Sequence, residues 1–442
     1  VLFRSNKVSN KFSQIIAKAK ACKKMKFTSL AHHINKDLLM SEFCELKRNK
    51  ASGIDKVTVG EYEARLGSNI ESLIEKMKSK TYRPKPVRRA YIPKPGKDEK
   101  RGLGIPSTED KLVQLGVKRV LESIFETDFL DCSHGFRPNR SCHTAIKALN
   151  KAMMTEPVQY VVEVDIKGFF DNVNHYWLQR CLEERISDPN FLWIIRRLLK
   201  AGIMEGGKWL SSEKGAPQGG VASPLLANIY LHYVLDLWFE KKFRNSSRNY
   251  MGLIRYCDDF IALFATRKDA ERFLIELKER LAKFKLSVAE DKTRLIEFGK
   301  RVYERHQRSG TKASTFSFLG FTHYYGKSRK GKIVAGHKTA KENLRRKLRL
   351  AKDWLRKMRA KASLKGVMHL LKAKLLGHYN YFGISGNYRC IKQFYDRVLF
   401  LVFKWMNRRS ERKSMDWPTF VNCLRFNPLP APRITINFYT PG

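Results

Sequence analysis

The alternation of apolar and polar positions divides the chain into helices and strands in turn. A basic, helical pattern fills residues 1–80 and is broken at Asn49-Lys-Ala-Ser-Gly-Ile-Asp55. Residues 81–110 change character, with Tyr82-Arg-Pro-Lys-Pro86 followed by Tyr91-Ile-Pro-Lys-Pro95 and Arg101-Gly-Leu-Gly-Ile-Pro106. Proline at this density excludes helix, and the Gly-rich basic middle predicts a hairpin tip between short strands. Helical spacing returns over 111–128, and a Gly/Pro/Asn-rich loop, Ser133 to Ser141, follows. The pattern then predicts helices over 175–203 and Leu225–Phe239, with the irregular loop Gly215–Pro224 between them. An amphipathic helix is expected over Arg267–Phe284. Strands interleaved with helices in this order indicate an α+β core.

Near residue 325 the texture shifts again. Fourteen Lys or Arg lie between Lys327 and Arg359, against Glu342 and Asp353. The chain to about residue 412 reads as helix with regularly spaced Leu and aromatics, and Pro428, Pro430 and Pro432 close it in an extended tail. A linker is therefore expected near 325–335. The resulting division is a basic N-terminal extension (1–50), a core (51–325) and a helical region with its tail (326–442).

Two strand-like segments carry acids where apolar alternation makes a carboxylate expensive. One is Val161-Val-Glu-Val-Asp165; the other, Leu253-Ile-Arg-Tyr-Cys-Asp258-Asp259-Phe-Ile-Ala-Leu-Phe264, reads as a hairpin with acids at its tip. Adjacent carboxylates repel, so a fold keeps them together chiefly when a cation neutralises them. Asp165, Asp258 and Asp259 are accordingly the candidate metal ligands and catalytic acids. Three carboxylates on two divalent ions are what nucleotidyl transfer requires, one ion activating a 3′-hydroxyl and the other steadying the triphosphate. Taken as an isolated dipeptide, Asp258–Asp259 is equally a solvated turn. Its pairing with the Asp165 strand argues for a nucleic acid polymerase.

Composition narrows the partners. Lys plus Arg number 87 against 42 Asp plus Glu, a formal net charge of +45. Such a chain repels itself unless a polyanion is bound, and long nucleic acid held by phosphate contacts fits. The eight cysteines include no Cys-x-x-Cys pair, which argues against a disulfide framework or zinc site and fits a reducing compartment. No apolar stretch approaches membrane-spanning length.

The ordered blocks identify a resemblance. Ala51-Ser-Gly-Ile-Asp55, Tyr91-Ile-Pro-Lys-Pro95, Arg101-Gly-Leu-Gly-Ile-Pro106 and Ser133-His-Gly-Phe-Arg-Pro138 come first. Val164-Asp-Ile-Lys-Gly-Phe-Phe-Asp171, Gly215-Ala-Pro-Gln-Gly-Gly220, Arg255-Tyr-Cys-Asp-Asp-Phe260, Asp291-Lys-Thr293 and Phe318-Leu-Gly-Phe321 complete the series. In this order the chain resembles a bacterial reverse transcriptase of the group II intron maturase family, over nearly its whole length. Cys257 departs from the family, which usually has Ala there; a small side chain that tolerates burial should retain activity.

The resemblance implies a right-hand polymerase with fingers and palm, followed by an α-helical thumb or maturase domain X. It implies Mg²⁺, two ions per site with Mn²⁺ as a substitute. Lys94 and Arg101 would clamp the incoming triphosphate, Arg as a bidentate fork and Lys as a point charge. Phe170 resembles the steric gate that rejects a ribose 2′-hydroxyl. Gln218 would touch nucleotide or template, and Lys292 would protonate the leaving pyrophosphate. Nucleic acid contacts are assigned to Arg137, Tyr256, Phe318, Gly320, Arg345, Arg346, Tyr379 and Tyr381. The implied partners are parent group II intron RNA, an RNA template with DNA primer, target DNA and dNTPs. Splicing assistance, retrohoming by target-primed reverse transcription and a cytoplasmic bacterial setting follow, with an organellar origin also open. A built-in C-terminal nuclease is not expected. The alternatives are a relative recruited to host defence or CRISPR adaptation, and a maturase acting mainly as an RNA-binding splicing factor.

Overall fold

The computed structural model describes residues 2–93, 100–211, 214–215, 219–328, 330–408 and 415–438, with no side-chain description for 2–10 and 101. It contains two compact units, 1–145 with 162–295 and 146–161 with 296–442. Among the described residues eleven strands run in chain order: β1 (Val87–Pro93), β2 (Lys100–Ile105), β3 (Tyr160–Asp165), β4 (Ile203–Glu205), β5 (Lys208–Leu210) and β6 (Met251–Tyr256). They continue with β7 (Asp259–Phe264), β8 (Arg294–Glu297), β9 (Phe316–Phe318), β10 (Phe321–Lys327) and β11 (Ile333–Thr339).

In the first unit, β1 and β2 form the expected antiparallel hairpin, in register from Arg88↔Ile105 to Pro93↔Lys100. Its tip, 94–99, lies outside the described residues. β4 adds to β1 in parallel and β5 closes the sheet, giving the order β2-β1-β4-β5. The helix Thr108–Phe125 is the spine of this unit: Ser107 caps it by accepting from the Asp110 amide, and Val113, Val117, Val120, Leu121 and Ile124 are fully buried. A second sheet has the order β6-β7-β3-β8.

The span read as one helix over 175–203 is two, His175–Glu183 and Pro189–Leu199. Pro189 cannot continue a helix but suits its first turn, and the Asp188 side chain caps the new start by accepting from the Asn190 and Phe191 amides. The same carboxylate accepts from the amides of Leu30, at 2.5 Å, and Ala31, at 2.8 Å. Arg185, 2% exposed, donates to the carbonyls of Lys23 and Ala19 and pairs with Asp128. Residues 1–50 are thus built into the first unit rather than standing as an appended extension, because their backbone supplies partners that two buried side chains would otherwise lack.

The second unit holds the sheet β11-β10-β9 and the helices Lys341–Met358, Leu364–Phe382, Tyr388–Met406 and Trp417–Phe426. Val367, Leu371, Leu375, Val398 and Val402 lie in its core, each contributing about 1.5–3 kcal/mol by burial. The expected linker at 325–335 is instead the end of β10, its turn and the start of β11, which pair antiparallel from Phe321↔Thr339 to Lys327↔Ile333. The density of Lys and Gly there reflects a solvated hairpin end, and the compact units divide earlier, before residue 296. No helix among the described residues is long and apolar enough to cross a membrane.

Candidate active site

The two acidic strand segments meet in the β6-β7-β3-β8 sheet. β6 and β7 pair from Met251↔Phe264 to Tyr256↔Asp259, so Cys257 and Asp258 form a tight turn with Asp259 at its exit. β7 lies beside β3, whose last residue is Asp165. Apolar residues bury β7 from Phe260 to Phe264 and leave Asp259 accessible at the strand's start. The Asp165 carbonyl accepts from the Ala289 amide at 2.7 Å, and Ala289 in turn accepts from the Lys292 amide at 3.0 Å. That turn brings the Lys292 ammonium onto the Asp165 carboxylate as an ion pair.

The electrostatics match a site waiting for positive charge. Asp259 is pushed up to about 7, by lost solvation and then by repulsion from Asp258, Asp165 and Glu163. Glu163 was not among the residues expected here; it stands two before Asp165 on one strand, hence on the same face, and that period was the available signal. Among the described residues no three acidic, His or Cys side chains close into a ready metal cage. The donor set still suits a hard divalent cation: oxygens alone, mutually repelling, with Lys292 supplying the local positive charge.

The raised Asp259 carboxyl makes a prediction with a definite sign. Folded protein holds this proton more tightly than unfolded chain, so without divalent ions stability falls as pH rises from about 4 to about 7 and then levels. Asp259→Asn should therefore raise the melting temperature at pH 8 in a metal chelator and leave it nearly unchanged at pH 4. Thermal melts across that range measure it.

Beneath the turn lies Arg255, 0% exposed. Its Nε and Nη2 donate to the two carboxylate oxygens of Asp236, at 2.7 and 2.5 Å. Nη1 donates to Asn228 Oδ1 at 2.9 Å and to the Cys257 carbonyl at 3.0 Å, and Nη2 also reaches Ser133 Oγ at 2.8 Å. All five guanidinium hydrogens are thereby used, which only Arg's planar fork permits. Cys257 takes the left-handed conformation, φ 60°, and its carbonyl is held there by Arg255. Gly135 abuts it so closely that an added Cβ would stand 2.4 Å from the Cys257 sulfur. A small residue is required at 257, and the Cys thiol, pushed up to about 12 by burial and then by Asp258, stays protonated. The Arg255–Asp236 pair went unread in the sequence because Asp236 lies in a helical stretch with no motif of its own.

The remaining candidate residues divide sharply. Phe170 is half-buried on the short helix Phe169–Asn172, its ring edge-on to Phe169 at 5.5 Å. Lys94 and Gln218 lie outside the described residues, as does the side chain of Arg101, whose backbone pairs with Ile92 in β2. The Gly215 amide donates to the Val173 carbonyl at 2.8 Å, and the Val221 amide to Gln114 Oε1 at 2.7 Å. Gly219, φ 108°, sits where a Cβ would meet the Gly104 carbonyl oxygen at 2.6 Å, so no other residue fits.

Three expected nucleic acid contacts are interior instead. Arg137 is 7% exposed and spends its guanidinium on Glu126 and on the Leu130 and Ser133 carbonyls. Phe318 is 2% exposed, packed in β9. Tyr379 is fully buried and donates to the Pro430 carbonyl. Each supports the fold and offers no free surface. Gly320 forms the β9–β10 turn with Leu319, both left-handed. Arg345 and Tyr381 are exposed, Arg346 and Tyr256 half-buried; Tyr381 donates to the Leu319 carbonyl.

Residues 92–323, which take in this whole constellation, match the family model described as reverse transcriptase (RNA-dependent DNA polymerase). The chain belongs to the reverse transcriptase family. It is 40% identical over 216 residues to the group II intron-encoded protein LtrA of Lactococcus lactis subsp. cremoris, 48% of this chain and 36% of that protein. It is 33% identical over 296 residues to Protein YkfC of Escherichia coli (strain K12), 58% of this chain and 77% of that protein. The nuclear intron maturase 4, mitochondrial, of Arabidopsis thaliana is 30% identical over 138 residues, 30% of this chain and 16% of that protein. This reverse transcriptase therefore spans about a third of LtrA, and matches most of YkfC.

Proposed function

We propose that this reverse transcriptase is an RNA-directed DNA polymerase that also binds group II intron RNA, assists its splicing and supports retrohoming by target-primed synthesis. The observation that supports it most is the meeting of Asp165 at the end of β3 with Asp258 and Asp259 of the β6–β7 turn, with Lys292 paired to Asp165. In this reading the fingers occupy roughly 50–160 and 195–230, the palm surrounds the acids, and a helical thumb or domain X follows about residue 330. Asp165, Asp258 and Asp259 would hold Mg²⁺, which supplies Lewis acidity toward the primer 3′-hydroxyl and the triphosphate.

The chain's own groups take the other roles. Lys292 donates a proton to the departing pyrophosphate once it leaves Asp165. Lys94 and Arg101 neutralise the triphosphate, and Gln218 borders the base pair being formed. Phe170 turns away a ribose 2′-hydroxyl. The exposed basic face of Lys341–Met358, with Arg345, holds RNA through phosphates.

Primer extension tests the reading: a homopolymer RNA template with DNA primer should be copied with dNTPs and Mg²⁺, and not without a divalent ion. Phe170→Ala should lower the preference for dNTP over rNTP, as the ratio of kcat/KM values, by roughly tenfold or more, equivalent to about 1.4 kcal/mol. Equal use of both nucleotides by the unaltered protein would remove the gate from Phe170.

A further inference from the structure

We propose that Phe136 is a stacking platform for an unpaired base of the template strand beside the catalytic turn, an assignment that rests on the polymerase reading above. Phe136 is 57% exposed and sits in the left-handed region at φ 53°. A bulky side chain there is an outlier, disfavoured relative to Gly or Asn. Burial rewards the position little, since more than half of the residue faces water.

Its neighbours explain how the conformation is held. On one side the Gly135 carbonyl accepts from Asn228 Nδ2 at 2.7 Å, and Gly135 itself is pressed against Cys257. On the other, Arg137 is drawn inward by Glu126 at 2.8 Å, by the Leu130 carbonyl at 2.7 Å and by the Ser133 carbonyl at 2.8 Å. Ser133 Oγ is tied to Arg255, which also holds the Cys257 carbonyl. With both flanks fixed inward, residue 136 must face out, one residue beyond the contact with the turn that carries Asp258. Strain kept at a surface next to a reactive site points to a functional side chain.

The occupant follows from chemistry. The chain carries a formal net charge of +45 and is suited to a polyanionic strand. A flat aromatic face binds a nucleobase by stacking regardless of its identity. Bases within a primer–template duplex are already stacked on their neighbours. The template base ahead of the duplex end has an open face, and Phe136 matches it.

The test uses the full chain, without dNTPs or divalent ions, and two duplexes: one with a single-stranded template overhang and one blunt. Wild type should prefer the overhang. Phe136→Gly should weaken overhang binding by about tenfold and leave blunt binding unchanged. Its melting temperature should hold or rise, because Gly accepts positive φ without strain. Phe136→Trp should keep the overhang preference. A Gly variant that retains the wild-type preference overturns the proposal. So does one that melts lower and loses both duplexes equally, which would make Phe136 structural. If wild type fails to extend primers yet the overhang preference depends on Phe136, the polymerase reading fails and the stacking assignment stands.

Discussion

Asp258→Ala is expected to lower dNTP incorporation on a primed RNA template by about 10³-fold or more, with the protein still folded. That magnitude follows from the proposed role of Asp258 in holding the divalent ion of a preorganised site. The fold should survive because the lost carboxylate repels Asp259 in the ligand-free site, so its removal relieves electrostatic strain. The melting temperature without divalent ions should hold or rise. Under the proposed function, intron splicing assistance should persist in this variant, because RNA held through its phosphates would call on exposed basic residues such as Arg345 and not on the acids. Single-nucleotide extension, a thermal melt and a splicing assay on one preparation decide the matter. Robust synthesis by the Ala variant would refute the assignment of the site.

The second large effect concerns Arg255. Arg255→Ala leaves the fully buried Asp236 carboxylate without its partner and should destabilise the protein by about 3–5 kcal/mol. That loss alone would say nothing about catalysis. The paired change Asp236→Leu with Arg255→Met removes both charges, and apolar replacement of a buried ion pair is often neutral for stability. In that protein the Cys257 carbonyl has still lost its guanidinium, and the Asp258–Asp259 turn its support. Extension should remain about 10- to 100-fold slow, expressed in kcat more than in the KM for dNTP, as expected of misplaced reacting groups. Wild-type kcat in the double variant would reduce Arg255 to a structural role.

Taken together these variants separate two layers of one site. In the proposed reading, Asp165, Asp258, Asp259 and Lys292 form the charged surface that would meet substrate. Arg255, Asp236, Asn228, Ser133 and Gly135 are the dry layer that fixes where that surface stands. The dry layer draws on three segments separated in sequence. This is why the Ser133–Pro138 and Arg255–Phe260 blocks occur together: the Ser133 hydroxyl accepts from Arg255, and the His134 amide donates to the Arg255 carbonyl.

The acids and their strands were legible in the sequence because a carboxylate on an apolar strand breaks a pattern of period two, and a broken pattern is visible locally. The β1–β2 hairpin was legible for a similar reason, since proline and glycine restrict backbone angles without help from distant residues. The amphipathic helix Arg267–Lys283 was equally plain. By contrast, whether Arg137 and Tyr379 face solvent or interior was undetermined. Arg and Tyr serve in both places, and the choice was made by Glu126 and Pro430, each brought near by the fold. The density of basic residues near 325–335 reads as a linker until β10 and β11 are seen paired, because hairpin ends and linkers share a composition.

By itself the amino-acid sequence determined the chemistry on offer: three carboxylates, a surplus of cations, and strands and helices in an α+β order. Tertiary structure alone decided which charges neutralise one another, setting Lys292 on Asp165 and Arg255 on Asp236, and which aromatic side chain, Phe136, stands strained in water. The reason is range. Backbone preferences and side-chain periodicity act over a few residues, whereas burial and ion pairing depend on neighbours that chain folding brings from far along the sequence.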